Sequence, residues 1–206
     1  MLDRDACERR VYRLATLLTG DPRAAAGVIG RVLDAQPDLS RLDGAHMDRL
    51  TVLRSREIPP RALRSQSVPD AVSEALAELR PQQREAWVFS RVYQMSGREL
   101  ARAMDCSITA ANLHLNAADE SMHRSLGGEE SAAAGTLLDY SMSLEVPAFY
   151  HAQRSRRKRL RKSVILAIIV LAILLVMAVV AWLGRPRSPS PSENSTSTST
   201  TRATSP

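Results

Sequence analysis

Apolar residues recur along most of this chain at the spacing of one face of an α-helix. The stretch from Asp70 shows the pattern clearly, since Val72, Ala75, Leu76 and Leu79 fall at positions i, i+3, i+4 and i+7. The same kind of spacing occurs in residues 5–18, 22–36, 44–56, 81–95, 97–104 and 108–124. The pattern therefore predicts an all-α protein.

Helix-breaking residues divide these apolar stretches into lobes. Gly20 stops the first helix, and Asp21-Pro22 begins the second, with a capping side chain and then a proline that needs no N–H partner. Residues 57–69 hold several Pro and Ser residues and few groups to bury, which is typical of a linker. The predicted organisation is a helical lobe over 1–56, a linker over 57–69, a second helical lobe over 70–126, a connector over 127–153, a basic run over 154–162, an apolar helix over 163–184 and a disordered Ser/Thr/Pro tail over 185–206.

The most apolar stretch, residues 164–183, contains no charged side chain. A helix of about 20 apolar residues matches the thickness of bilayer hydrocarbon, so the stretch predicts one transmembrane helix. Cations beside such a helix favour the cytoplasmic side and attract anionic lipids. Seven of them lie directly before it: Arg154, Arg156, Arg157, Lys158, Arg159, Arg161 and Lys162. We therefore expect a single-pass protein of the inner (cytoplasmic) membrane, with the N-terminal domain in the cytosol and the C-terminal tail outside.

The net charge of the whole chain, +6, hides an acidic first part. Residues 1–153 carry 18 Lys and Arg against 21 Asp and Glu, a net charge of −3. A sequence pI near 10 would ordinarily indicate a nucleic-acid partner. Here the excess positive charge lies mainly in the basic run, so it predicts membrane orientation more than DNA binding.

Residues 96–107 and the segment after them follow the plan of a helix-turn-helix: a short helix, a tight turn and a longer helix. Ala101 is small where the two helices must approach each other. Asp105 falls in the turn, where a left-handed backbone conformation is needed and Asp tolerates it. Ser107 can accept a backbone N–H at the start of the second helix. A plain helical bundle with a capped turn is the alternative interpretation.

Together with the preceding residues 77–86, this pattern resembles region 4 of the sigma factors of bacterial RNA polymerase, most closely the extracytoplasmic-function group. Residues 13–22 are similar to the start of region 2 in that family. The matching positions are Arg84, Glu85, Glu99, Leu100, Ala101, Ser107, Leu115, Ala118 and Met122. The resemblance implies a helix-turn-helix scaffold made by Glu99, Leu100, Ala101, Leu115 and Ala118. It also implies RNA polymerase core or an anti-sigma-type protein as partner, with promoter DNA as a further one.

The second helix of the motif supplies the candidate DNA contacts. They are Ser107, Thr109, Asn112, His114 and Asn116. The first two would cap the helix and touch phosphate, and the other three would hydrogen-bond base edges. Residues 109–122 hold no Lys or Arg, however, and Asp119 and Glu120 would repel phosphate. Binding with so few phosphate contacts is expected to be weak at physiological salt.

Region 2 also departs from the family, because residues 38–57 hold no aromatic side chain that could stack on an unpaired base. Two hypotheses follow. The first is a membrane-tethered, sigma-factor-like transcription regulator that acts through its helix-turn-helix in initiation. The alternative is a membrane-anchored interaction module with a sigma-like scaffold that no longer binds DNA.

The sequence contains no motif typical of an enzyme, a metal site or a cofactor site. The four histidines are scattered, and none pairs with a cysteine at the spacing of metal ligands. A glycine-rich phosphate loop and a nucleophile elbow are also missing from the sequence. We therefore expect a protein that is not an enzyme and needs no cofactor.

Overall fold

The structure, a computed structural model, describes residues 4–35, 43–151, 171–173 and 175–177. In this part the chain is helical and contains no strand, which confirms the all-α prediction. The helices are α1 (Arg4–Thr19), α2 (Pro22–Ala35), α3 (Gly44–Ser55), α4 (Asp70–Glu78), α5 (Pro81–Trp87), α6 (Gly97–Met104), α7 (Ile108–Leu126) and α8 (Glu130–Ser143), and a π-helical segment over Val88–Val92 continues α5.

Helix α1 contributes to both apolar cores of the fold. Leu14, Leu17 and Leu18 join the larger core, which α4 to α8 complete. Val11 and Ala15 lie in the smaller core with residues of α2 and α3. Because one helix serves both cores, burying its apolar surface stabilises the two lobes together.

The predicted linker over 57–69 packs against both lobes. Leu63 and Val68 are buried in the larger core. The backbone N–H of Arg61 donates to the carbonyl of Thr19 at 2.9 Å, and the hydroxyl of Ser73 donates to the carbonyl of Leu63 at 2.8 Å. Two apolar side chains and these hydrogen bonds hold a segment whose Pro and Ser content is typical of a linker.

The predicted connector after residue 127 contains helix α8. Its buried face holds Ala133, Leu137 and Tyr140, which join the larger core. Arg13 of α1 donates to the carbonyl of Met142 at 2.6 Å, just before the end of the helix. Helix α8 thus contacts the N-terminal helix as well as the rest of the larger core.

The predicted transmembrane helix over 163–184 has to be corrected. None of the helices among the described residues is long and apolar enough to cross a bilayer. Within the predicted span the structure describes only residues 171–173 and 175–177, which are helical. The predicted single-pass localisation in the inner membrane and the anionic lipids as partners are corrected with it.

Several other predictions fall on residues that the structure does not describe. They are the basic run over 154–162, most of the span over 163–184 and the disordered tail over 185–206. Residues 1–156 cluster into one compact unit. The functional geometry that follows lies in this unit.

Candidate nucleic-acid interface

Helix α6 begins with two hydrogen bonds from Ser96 to Glu99. The backbone N–H and the hydroxyl of Ser96 donate to Oε2 of Glu99 at 2.9 and 2.7 Å. These hydrogen bonds lower the pKa of Glu99, which favours the carboxylate that accepts them. The arrangement fixes the start of the first helix of the motif.

The turn between α6 and α7 depends on Asp105, which adopts the left-handed conformation with φ of 56° and ψ of 48°. This geometry confirms the conformation predicted for Asp105 from its sequence position. The N–H of Cys106 donates to the carbonyl of Ala101 at 3.0 Å and closes the turn. The Asp105 carboxylate also pairs with Arg49 of α3 at 2.8 Å.

Helix α7 begins at the predicted cap, since Oγ of Ser107 accepts from the N–H of Ala110 at 3.1 Å. Thr109, Asn112 and Asn116 are exposed and lie three and four residues apart, so they share one face of α7. His114 is half-buried and lies two positions from either asparagine, which directs it to another side of the helix. The structure thus brings together four of the five candidate contacts and separates His114 from them.

The scaffold residues lie mostly beneath this face. Leu100 and Ala101 of α6 and Ala118 of α7 are buried in the larger core, and Leu115 packs against it while half-buried. Glu99, by contrast, is exposed and acts through the hydrogen bonds at the start of α6. Packing of α6 on α7 fixes the angle at which the exposed face of α7 is presented.

In a comparison with known protein families, residues 70–118 match the family described as Sigma-70, region 4. This lobe is sigma-factor-like. The match supports a DNA-binding role in transcription and runs from the start of α4 into α7. A search of curated proteins finds none that matches the chain.

On α7, the second helix of the helix-turn-helix, an ion pair neutralises one acidic residue. Asp119 accepts two hydrogen bonds from Arg91, at 3.0 Å from Nε and 2.5 Å from Nη2. Bonding to Asp119 raises the pKa of Arg91, so the guanidinium keeps its charge. The phosphate repulsion predicted for Asp119 is therefore reduced, while Glu120 remains exposed on the same helix.

The cations that surround α7 lie on other helices, so the sequence of α7 alone did not predict them. Arg98 and Arg102 are exposed on α6, one turn apart. Arg49 reaches the turn from α3, outside the residues that match the family. The spacing of Arg98 and Arg102 on the first helix was a usable signal, since side chains at i and i+4 share a face. Nothing in the sequence indicated Arg49.

The adjacent residues Arg84 and Glu85 join the sigma-like lobe to the N-terminal helices. Arg84 is fully buried and donates to the carbonyls of Leu17 and Arg61 at 2.7 and 3.0 Å. Burial lowers the pKa of Arg84 to about 9. Glu85 accepts two hydrogen bonds from Arg56, at 2.8 and 2.6 Å, and burial raises the pKa of Glu85. These residues are therefore structural and lie away from the face of α7 that carries Asn112.

In the part of the chain that the structure describes, no three His, Cys, Asp or Glu side chains lie close enough together to hold a metal ion. The chemistry of this interface is instead that of hydrogen-bond donors, amides and guanidinium groups on the surface of a rigid helix pair. Such groups recognise phosphates and base edges.

Proposed function

We propose that this protein is a sigma-factor-like transcription regulator that binds promoter DNA with α7 in the major groove. The observation that carries the proposal is the shared exposed face of Thr109, Asn112 and Asn116, presented by a lobe that matches region 4 of sigma-70 factors. An α-helix fits the major groove, and side chains along one face can reach base edges there.

The two asparagines suggest which bases are read. An asparagine amide can donate to N7 and accept from the N6 amino group of adenine with two hydrogen bonds. Asn112 and Asn116 lie one turn apart, about 6 Å along the axis, which is close to the rise of two base pairs at about 3.4 Å each. We therefore propose adenine-containing steps in the recognised sequence. Ser107 would contact phosphate at the start of the helix, and His114 would contribute little.

The missing cations of α7 are supplied by α6 in this proposal. Arg98 and Arg102 are exposed on the first helix of the motif, which crosses the DNA backbone in helix-turn-helix complexes. Each phosphate neutralised adds to the salt dependence of binding. The arginines on α6 would thus position α7, and the asparagines would select the sequence.

The test is enrichment of duplexes from a randomised pool by the full chain, followed by binding at several salt concentrations. Asn112→Ala and Asn116→Ala should lose about 1–3 kcal/mol of preference for the enriched sequence while weak general binding remains. Arg98→Ala and Arg102→Ala should weaken binding to all sequences and lower the salt slope by about 1 each. Arg54→Ala, at a half-buried arginine of α3 that pairs with Glu57, is the matched control.

The basic run over 154–162 would bind any duplex, so only differences among these variants are informative. If no sequence is enriched and the α6 variants bind as the parent does, the DNA-binding proposal is wrong. The partner that the region 4 match favours is RNA polymerase core. Co-purification of core enzyme with the full chain tests this.

A second candidate function is protein binding without DNA. It is favoured by Leu113, which is 68% exposed on α7 and lines a groove between α7 and α8 with Leu138 and Glu120. A groove with apolar side chains of this kind can accept the apolar face of an amphipathic helix. Leu113→Ala should then weaken capture of core polymerase or of an anti-sigma-type protein, and the parent chain should show no sequence-selective binding of DNA.

A further inference from the structure

A groove of about 760 Å³ lies between the first half of α3 and the helix-turn-helix. Arg49 lines the groove from α3, and Arg98 and Arg102 line it from α6. The groove continues to Ser107 and Ile108, at the first turn of α7. A helix of the N-terminal lobe thus borders the surface at which α7 would meet DNA.

The carboxylates in this groove already have partners. Asp43 accepts from the backbone N–H of His46 at 2.6 Å and caps α3. Asp105 pairs with Arg49 at 2.8 Å. Arg98 and Arg102 make no ion pair among the described residues. Three guanidinium groups against two carboxylates leave the groove with a net positive charge.

We propose that this groove binds the sugar-phosphate backbone of the DNA duplex that α7 reads, with Arg49 of α3 as a phosphate contact from outside the helix-turn-helix. The inference rests on the proposed function and extends the DNA surface into the N-terminal lobe. Arg49 keeps donors available for phosphate beside Asp105, because a guanidinium has five N–H groups.

Duplex DNA fits this groove better than an acidic peptide for a geometric reason. The groove is continuous with Ser107 and Ile108, so a duplex held by α7 carries its backbone along this edge of the motif. A peptide would use the same cations but would have no reason to engage Asn112 and Asn116. DNA binding therefore predicts coupling between the groove and base recognition.

Helix α3 is held rigidly against the motif. Arg56, just after α3, donates to the Glu85 carboxylate at 2.8 and 2.6 Å and to the carbonyl of Met104 at 2.9 Å. Met104 is the last residue of α6. Arg49 therefore lies beside the turn in the free protein. A contact from Arg49 to phosphate would need little further ordering of the backbone, so its entropic cost would be small.

The test measures binding of the full chain to a short mixed-sequence duplex between about 0.05 and 0.2 M salt. Arg49→Ala should lower the salt slope by about 1 and weaken binding roughly five- to tenfold near 0.1 M salt. Asp105→Asn removes the carboxylate that pairs with Arg49 and leaves the positive charge of Arg49 in place. DNA binding should therefore stay equal or become tighter. Arg49→Lys should retain most of the affinity, and Arg54→Ala should leave the slope unchanged.

The remaining outcomes separate this inference from the proposed function. If Arg98→Ala and Arg102→Ala lower the slope but Arg49→Ala does not, the groove inference is overturned and the proposed function stands. Tighter binding by Arg49→Ala would also overturn it, since α3 would then cover the DNA surface rather than extend it. If none of the three arginines affects binding, both proposals fail. Thermal unfolding of each variant excludes a loss that comes from misfolding.

Discussion

Gly20 lies at a position where only a residue without a side chain fits. Its φ is +72°, and a Cβ added there would come within 1.9 Å of the carbonyl oxygen of Arg61. A left-handed conformation disfavours other residues, and this contact with a backbone atom cannot be relieved by rotating a side chain. The sequence predicted a helix stop at Gly20, but the approach of residue 61 gave no sequence signal.

Gly20→Ala is expected to lower the free energy of unfolding by at least about 2 kcal/mol, because the strained backbone and the clash with Arg61 both have to be relieved. Urea unfolding followed by circular dichroism measures this loss. Gly27→Ala is the matched control, since Gly27 lies within α2 and a Cβ there meets nothing within 4 Å. The control should gain up to about 1 kcal/mol. Equal stability of the two variants would contradict the close approach at Gly20.

Backbone conformation could be predicted only where the residue type signals it. Asp105 was expected to be left-handed because it lies between two helical patterns and tolerates that region. Gln94 has a φ of 54° as well, but no residue preference pointed to it. It follows the π-helical segment over Val88–Val92, and a one-residue change of helical winding leaves no mark in a pattern of apolar positions.

Helix α3 shows how ion pairs change which face of an element is buried. In residues 44–56 the apolar side chains at helical spacing are Met47, Leu50 and Leu53, and this spacing predicts that they share the buried face. In the structure Met47 is buried, but Leu53 is 37% exposed and Asp48 is 2% exposed. Asp48 can be buried because its two carboxylate oxygens accept hydrogen bonds from Arg10 at 2.8 and 2.7 Å. A partner 38 residues away cannot be read from the local pattern.

Ser107 can have two roles at the start of α7, as a helix cap and as a phosphate contact, and substitutions separate them. Ser107→Ala should lower the free energy of unfolding by about 1 kcal/mol because the cap is lost. Asn and Asp both keep a capping oxygen, so Ser107→Asn and Ser107→Asp should restore stability. The aspartate should nevertheless weaken DNA binding strongly, because it places a negative charge against phosphate.

These variants are compared by chemical unfolding and by binding of the full chain to duplex DNA. If Ser107→Asp binds DNA as Ser107→Asn does, the start of α7 does not approach a phosphate. If Ser107→Ala is as stable as the parent, the 3.1 Å hydrogen bond to the N–H of Ala110 contributes nothing to the helix.

At the scale of the molecule, the sequence predicted the helices and the helix-turn-helix but not how the lobes are joined. Residues 57–69 look like a linker because Leu63 and Val68 are too far apart to form a helical stripe. Their burial depends on α4 and on the helices of the larger core. The buried cation that holds this segment, Arg84, belongs to a pair of residues shared with the sigma factors, and nothing in the local pattern marks it as a junction.

Arg84 connects three parts of the chain, and its removal tests whether the lobes form one cooperative unit. It extends from α5 to the carbonyls of Leu17 in α1 and Arg61 in the intervening segment. Its Nη2 has no hydrogen-bond partner among the described residues. Since burial lowers the pKa of Arg84, its positive charge is disfavoured inside the fold, and the stabilisation must come from packing and from the two hydrogen bonds.

Arg84→Ala should therefore lower the free energy of unfolding by about 3 kcal/mol or more, because it leaves a cavity and two carbonyls without donors. Arg84→Met fills the cavity and removes the buried charge, so its loss should be roughly half as large. Arg64→Ala, at an exposed position of the same segment, is the control and should change stability by less than about 0.5 kcal/mol. Urea unfolding monitored by circular dichroism and by hydrogen exchange of α1 and α7 gives all three values.

If the parent shows separate transitions for α1 and α7, or if Arg84→Ala destabilises α7 alone, the lobes unfold independently. In that case α3 cannot hold Arg49 in a fixed position beside the helix-turn-helix.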